Sequence, residues 1–187
     1  MLKRFKLLFS GMVGLILLLN MTGISLASVP AGTSQVTSPR QSNELTQRVR
    51  HALLMLPYYS VFDEVTFSID GNTVILNGEV RRALLKVEAE NAVGSTDGVA
   101  KVVNNIEVLP LSPMDDSIRL RTYYAIFSMP GFEKYAIQVN SPIRIIVKNG
   151  HITLGGVVLT PLDKTAAEIA ARNVPFVFSV TNNLTVG

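Results

Sequence analysis

The sequence predicts an α+β protein built as two tandem αββαβ units, each a three-stranded mixed sheet with two helices on one face. Three observations predict it: a segment that returns in register, two helix-period stretches per copy, and period-2 alternation around a glycine turn. GNTVILNGEV at 71–80 returns as NGHITLGGVV at 149–158, and VVNNIEV at 102–108 returns as VTNNLTV at 180–186, both with a shift of 78. The same shift places Lys86 on Lys164, Ala89 on Ala167 and Val99 on Val177. Two distant blocks in one register mark a tandem duplication. Its boundary falls in Leu109-Pro110-Leu111-Ser112-Pro113, a Pro-rich joint.

Each unit opens with a helix. Leu45, Val49, Ala52, Leu53 and Leu56 repeat at helical spacing and define one apolar face. A shift of 73 gives Ile118, Thr122, Ala125, Ile126 and Met129 in the second unit. Asn43 and Asp115 or Asp116 are the candidate N-caps, and Pro57 and Pro130 stop the two helices. The change of shift from 73 to 78 leaves five extra residues between Pro130 and Pro142, read as loop or an added short strand.

A hairpin follows. Val65, Phe67 and Ile69 alternate up to the turn at Asp70-Gly71-Asn72, and Val74, Leu76, Gly78 and Val80 continue after it. The second copy reads Ile143, Ile145, Val147, the turn Asn149-Gly150, then Ile152, Leu154, Gly156 and Val158. The next helix runs from about Arg82 to Val93, and from about Pro161 to Asn173, where Thr160-Pro161-Leu162-Asp163 has the form of an N-cap with Pro at the first helical position. A final strand, Val102–Val108 or Val180–Val186, completes each unit. Gly78 and Gly156, in phase with core residues, are expected to admit a helix close to the sheet. Asn104 and Asn182 share the inward phase, so their amides are expected to be hydrogen-bonded to turn backbone.

Composition narrows the function. The 187 residues are 48% hydrophobic and 17% charged, with no Cys and no Trp. That excludes intrinsic disorder, a disulfide framework, a thiolate metal site, a thiol nucleophile and an acyl-cysteine anchor. The net charge of +3 comes from Lys3, Arg4 and Lys6; the remaining residues balance 14 basic against 14 acidic. A balanced body lacks the clustered cations that phosphate backbones require, so no nucleic-acid partner is expected.

The N-terminus reads as an export signal. A tribasic start, the apolar run Leu7–Leu19, and Ser25-Leu26-Ala27 form the n-region, h-region and cleavage site of residues 1–27. The run is too short to span a bilayer. The chain is therefore expected to be periplasmic after cleavage, peripheral to the membrane at most. Residues 28–43 read as a flexible lead-in, 44–109 as the first unit, 110–113 as the linker and 114–187 as the second unit.

No catalytic constellation stands out. His51 and His151 are not repeat-equivalent and have no carboxylate or second His at ligand spacing. Asp63-Glu64 and Asp115-Asp116 are adjacent pairs whose side chains diverge, and are read as capping or solvated groups. Nucleophile-elbow, P-loop and dinucleotide motifs are absent. The expectation is a protein that is not an enzyme and uses no cofactor or metal.

The repeated pattern of helix, hairpin with x-G-x-V-x-L-x-G-x-V, helix and G-V-x-x-V-x-N-x-φ-x-V resembles the BON domain, named for bacterial osmotically induced and nodulation proteins. The residues that carry the resemblance are Gly71, Val74, Leu76, Gly78, Val80, Gly98, Val99, Val102, Asn104 and Val108. Their counterparts are Gly150, Ile152, Leu154, Gly156, Val158, Val177, Val180, Asn182 and Val186. The resemblance spans about residues 44–187 and implies an envelope-associated module, linked to osmotic stress, that binds phospholipid surfaces or envelope partners without catalysis. Two departures are visible: there is no lipobox cysteine, and Phe176 stands where the first unit has Gly98.

The copies differ most on the far side of their first helices. The first carries Gln47, Arg50, His51 and Leu54; the second carries Leu120, Tyr123, Tyr124 and Phe127, flanked by Arg119 and Arg121. A helix apolar on two sides is buried or meets a partner. Rings beside arginines suit a phospholipid headgroup layer. Residues 44–110 carry 6 basic and 9 acidic groups, and 114–187 carry 7 and 5, which makes the second unit the one expected to meet anionic phospholipid. The contact set is thus Arg119, Leu120, Arg121, Tyr123, Tyr124 and Phe127. The alternatives are that this stripe packs against the other unit or the five-residue insertion, or that the protein is an envelope stress or scaffolding protein that binds other proteins or itself.

Overall fold

The central strand of each sheet explains the repeat. In the computed structural model, which describes residues 39–136 and 141–187 with side chains from residue 43, Val74, Leu76 and Val80 of one central strand are buried. Their counterparts Ile152, Leu154 and Val158 are buried in the other. The expected signal segment 1–27 and most of the lead-in lie outside the described residues.

The first repeat comprises α1 (Pro39–Leu54), β1 (Glu64–Asp70), β2 (Thr73–Val80), α2 (Ala83–Gly94), β3 (Lys101–Asn104) and β4 (Glu107–Val108). The second comprises α3 (Pro113–Phe127), the short α4 (Glu133–Ala136), β5 (Ile143–Lys148), β6 (His151–Val158), α5 (Pro161–Arg172), β7 (Ser179–Asn182) and β8 (Thr185–Val186). This is the expected α+β architecture in duplicate. β1 pairs antiparallel with β2, while β3 and β4 run parallel along its other side; β5 to β8 repeat the arrangement. The register repeats too: Leu76 faces Asn104 as Leu154 faces Asn182.

Several local expectations need correction. The last strand of each repeat is broken in two, and at the break the Asn104 amide turns toward α2. Its Nδ2 donates to Lys86 O (2.9 Å) and Glu90 Oε2 (3.0 Å), and its Oδ1 accepts from Ile106 N (3.1 Å). Asn182 repeats all three bonds with Lys164 O, Glu168 Oε2 and Leu184 N. The expected bond to turn backbone is thus present, at Ile106 N and Leu184 N in the breaks, and a helix carbonyl and a carboxylate are additional partners. The Gly78 and Gly156 positions admit a neighbouring strand, not a helix. A Cβ at Gly78 would run into the carbonyl oxygen of Glu64, and one at Gly156 into that of Pro142.

The helix starts also differ. α1 begins at Pro39, inside the segment read as lead-in. α3 is capped by Ser112, whose Oγ accepts from Asp115 N (3.1 Å), rather than by either aspartate. That frees the buried Asp115 carboxylate to accept from Asn149 N (2.9 Å) and Gly150 N (2.8 Å), tying the helix start to the β5–β6 turn. Thr160 caps α5 as expected, accepting from Asp163 N (3.0 Å). Part of the five-residue insertion forms α4, not a strand; its buried Tyr135 donates to Asp163 (2.7 Å) and accepts from Leu159 N (2.8 Å). Asp63 is buried rather than solvated, accepting from Ser60 N, Ser60 Oγ and Arg81 N.

Candidate functional site

The α3 stripe divides between core and surface. Ile118, Thr122 and Ile126 are buried as the inward face. On the other side, Phe127 is buried and Tyr123 half-buried; their rings lie 4.7 Å apart, and Phe62 of the first repeat meets Tyr123 edge-on at 6.2 Å. Phe62 and Val61 pack against the core of the second repeat. Tyr123 and Phe127 therefore serve the seam between the repeats, where Ile145 N also donates to Val61 O (2.8 Å) and Lys148 pairs with Glu107 (2.6 Å).

Arg119 is withdrawn as well. It is only 3% exposed; its Nη1 bonds Asp116 (2.7 Å) and its Nη2 bonds Val147 O (2.5 Å). Of the predicted contact residues, Arg119 and Phe127 thus cannot meet a flat partner as they stand, and Tyr123 is half-buried. Leu120, Arg121 and Tyr124 remain on the surface, with Tyr124 63% exposed.

These three are joined by residues that the helical pattern did not reveal. The loop between α5 and β7 presents Phe176 and Phe178, 62% and 78% exposed. The Arg121 guanidinium lies over the Phe176 ring at 5.9 Å, linking helix to loop. Phe178 rests on the β5–β6 turn: its N–H donates to Gly150 O (2.9 Å), its ring lies where a side chain at position 150 would stand, and His151 is 5.8 Å away. His151 itself is exposed and bonds Ser179 Oγ through Nδ1 (2.7 Å); His51 is exposed on α1. Among the described residues no cluster of His, Asp and Glu could hold a metal ion.

Phe176 also departs from ordinary backbone geometry. It holds φ 69°, a left-handed conformation unfavourable for a side chain of this size. The sequence signal for this residue was the Phe176-for-Gly98 exchange, which marks a turn and says nothing of where the ring goes. Leu120, Arg121, Tyr124, Phe176 and Phe178 are all exposed, and the Arg121–Phe176 contact links the helix residues to the loop residues. Exposed rings beside an arginine suit interfacial layers.

At the seam, electrostatics are different. Arg144 donates to Ser60 O (2.9 Å) and its guanidinium lies 4.5 Å from the Tyr59 ring centre. Burial pushes the Glu64 carboxyl above its ordinary range, with Arg144 pulling it down and Glu79 adding to the rise. Burial likewise raises the Tyr59 hydroxyl. Among the described residues no helix is long and apolar enough to cross a membrane.

Two solved structures of CdsD, a structural protein of the type III secretion system of Chlamydia trachomatis, resemble 77% of this chain at 13% identity and TM-score 0.28. One is its C-terminal domain, 98% covered; the other is covered over 92%. No curated protein matches the chain. The family model of the BON domain matches residues 41–110 and 134–187, one segment in each repeat, and the chain belongs to the BON domain family.

Proposed function

We propose that this protein is an exported, non-enzymatic binding module of the cell envelope whose second repeat docks on anionic phospholipid through Leu120, Arg121, Tyr124, Phe176 and Phe178. The observation that carries the reading is the Arg121 guanidinium over the Phe176 ring, which links the α3 face exposing Leu120 and Tyr124 to the loop exposing Phe176 and Phe178. Such rings sit at headgroup depth, and an arginine among them meets phosphate. The charge excess of the second repeat supports the same orientation. The backbone cost at Phe176 also fits, since strain is kept where a side chain must be displayed.

The test is co-sedimentation of the protein with vesicles of phosphatidylcholine alone and of phosphatidylcholine mixed with phosphatidylglycerol. Binding to the anionic vesicles, weakened by salt and lost in Tyr124→Asp, supports the reading. Equal behaviour of the two vesicle types, or binding unchanged in Tyr124→Asp, refutes it.

A further inference from the structure

The two repeats treat the same strand edge in opposite ways. β1 and β5 are the outer strands of their sheets, and a strand of this kind turns the N–H and C=O of alternate residues away from its one partner. In β5 the outward N–H of Ile145 is occupied, donating to Val61 O (2.8 Å). The inner side chains Ile143, Ile145 and Val147 are fully buried. Strand β5 also carries Arg144 and Lys148, charges of the kind that guard an edge.

Among the described residues the equivalent edge in β1 is open. Val65 N donates outward to Tyr59 Oη (3.2 Å), and Leu76, opposite Phe67, turns its carbonyl to Asn105 N (2.8 Å) on the other side. Phe67 and Ile69 therefore point their own N–H and C=O groups outward, where they meet no partner among the described residues. Val65, Phe67 and Ile69 are only half-buried. They face a groove of about 790 Å³ whose walls include Arg50, Leu53 and Leu54 of α1, and Arg144, Gly156 and Val157 of the second repeat. From Val65 to Ile69 the edge has no charge, no proline and no glycine.

We propose that this edge pairs with β1 of a second copy of the chain, antiparallel and two-fold symmetric about Ser68. The register is self-complementary. Phe67 falls opposite Ile69 of the second copy and exchanges both backbone hydrogen bonds with it, using the groups left open here. Residues that face each other across a ladder share a side of the sheet. The incoming Phe67 and Ile69 thus enter the groove beside Leu53 and Leu54, while Thr66, Ser68 and Asp70 stay on the wet side. Thr66 stands opposite Asp70 and Ser68 opposite Ser68, so no like charges face each other directly across the ladder. The incoming turn at Asp70-Gly71 reaches the end of the groove where Arg144 stands beside Glu64, so the guanidinium lies between the two carboxylates. In β5 this position is closed by the turn residue Val61 and by Arg119, which donates to Val147 O; β1 has neither.

Ser68 supplies the test, because it is exposed and the chain has no cysteine. Facing residues of a pair that is not hydrogen-bonded sit about 4.5 Å apart at Cα, within disulfide reach. Protein from the full chain carrying Ser68→Cys, mildly oxidised in lipid-free buffer, is expected to form a disulfide dimer, whereas Val87→Cys on α2 does not. Unmodified protein is expected to show twice the chain mass by light scattering, and Ser68→Lys, which sets two cations face to face, to show the chain mass with an unchanged circular dichroism spectrum. A monomer at every concentration overturns the proposal. So does equal cross-linking through both cysteines, or a groove filled by an unrelated extended peptide while the protein stays monomeric. Because no lipid is present, these results stand apart from vesicle docking.

Discussion

Phe176 occupies the turn position that Gly98 holds in the first repeat, with φ 69° against 95°. Glycine adopts this region without steric cost, while a bulky side chain there costs on the order of 1–3 kcal/mol. The Phe176→Gly variant is therefore expected to be more stable by about 1 kcal/mol, after allowing for the freer unfolded chain, and to bind anionic vesicles less well. Thermal denaturation and co-sedimentation on the same samples check both. A variant that is less stable shows the ring to be structural.

The reciprocal asparagines give a second prediction. Asn182→Ala leaves Lys164 O and Leu184 N without their side-chain partner and removes a donor from Glu168. Unpaired groups of this kind cost about 1–3 kcal/mol. The loss is expected to be similar for Asn104→Ala, since the bonds match, and is measured by urea denaturation of each variant.

Glycines at different positions are expected to respond very differently. At Gly156 the added Cβ of Gly156→Ala meets the carbonyl of Pro142 at φ 99°; at Gly71 a Cβ has open space and only the left-handed backbone to contend with. Gly156→Ala is predicted to cost more than about 3 kcal/mol or to prevent folding, and Gly71→Ala about 1 kcal/mol. Soluble yield and denaturation midpoints separate the two.

Two carboxylates should show opposite pH dependence. Hydrogen bonds from Tyr135, Lys134 and Thr160 hold Asp163 below its ordinary range. A group lowered in the folded state stabilises it above the unfolded pKa, and that stability is lost as pH falls through the folded pKa. Asp163→Asn should thus be destabilising at neutral pH, with the difference shrinking in acid. Glu64 is raised, first by burial, so its ionisation opposes folding at neutral pH. Glu64→Gln should be stabilising there, and that gain should fade below the carboxylate range. Melting temperatures across the acid limb check both signs.

Much of the fold was legible because it is written twice. The 78-residue register carries Val74, Leu76 and Asn104 onto Ile152, Leu154 and Asn182, and the pairings follow it. Strand phase located Gly78 on the inner face, but phase does not say which neighbour comes close; that is set by the path of Glu64. The docking surface was only partly legible. Helical spacing grouped Tyr123 and Phe127 with Tyr124, yet Phe62, far away in sequence, meets Tyr123 and packs against the core that holds Phe127. Arg119 is drawn inward by Val147 O for the same reason. Phe176 and Phe178 lie in a turn, where periodicity carries no information.

The most direct test of membrane docking uses the absence of tryptophan from the chain. Phe178→Trp places a single indole in the patch, and Leu84→Trp places one on exposed α2 of the other repeat. With vesicles containing phosphatidylglycerol, the indole at 178 should shift its emission to shorter wavelength and be quenched by brominated acyl chains, while the one at 84 stays unchanged. An indole at 178 that keeps the emission of a water-exposed ring, with vesicles in excess, contradicts the account.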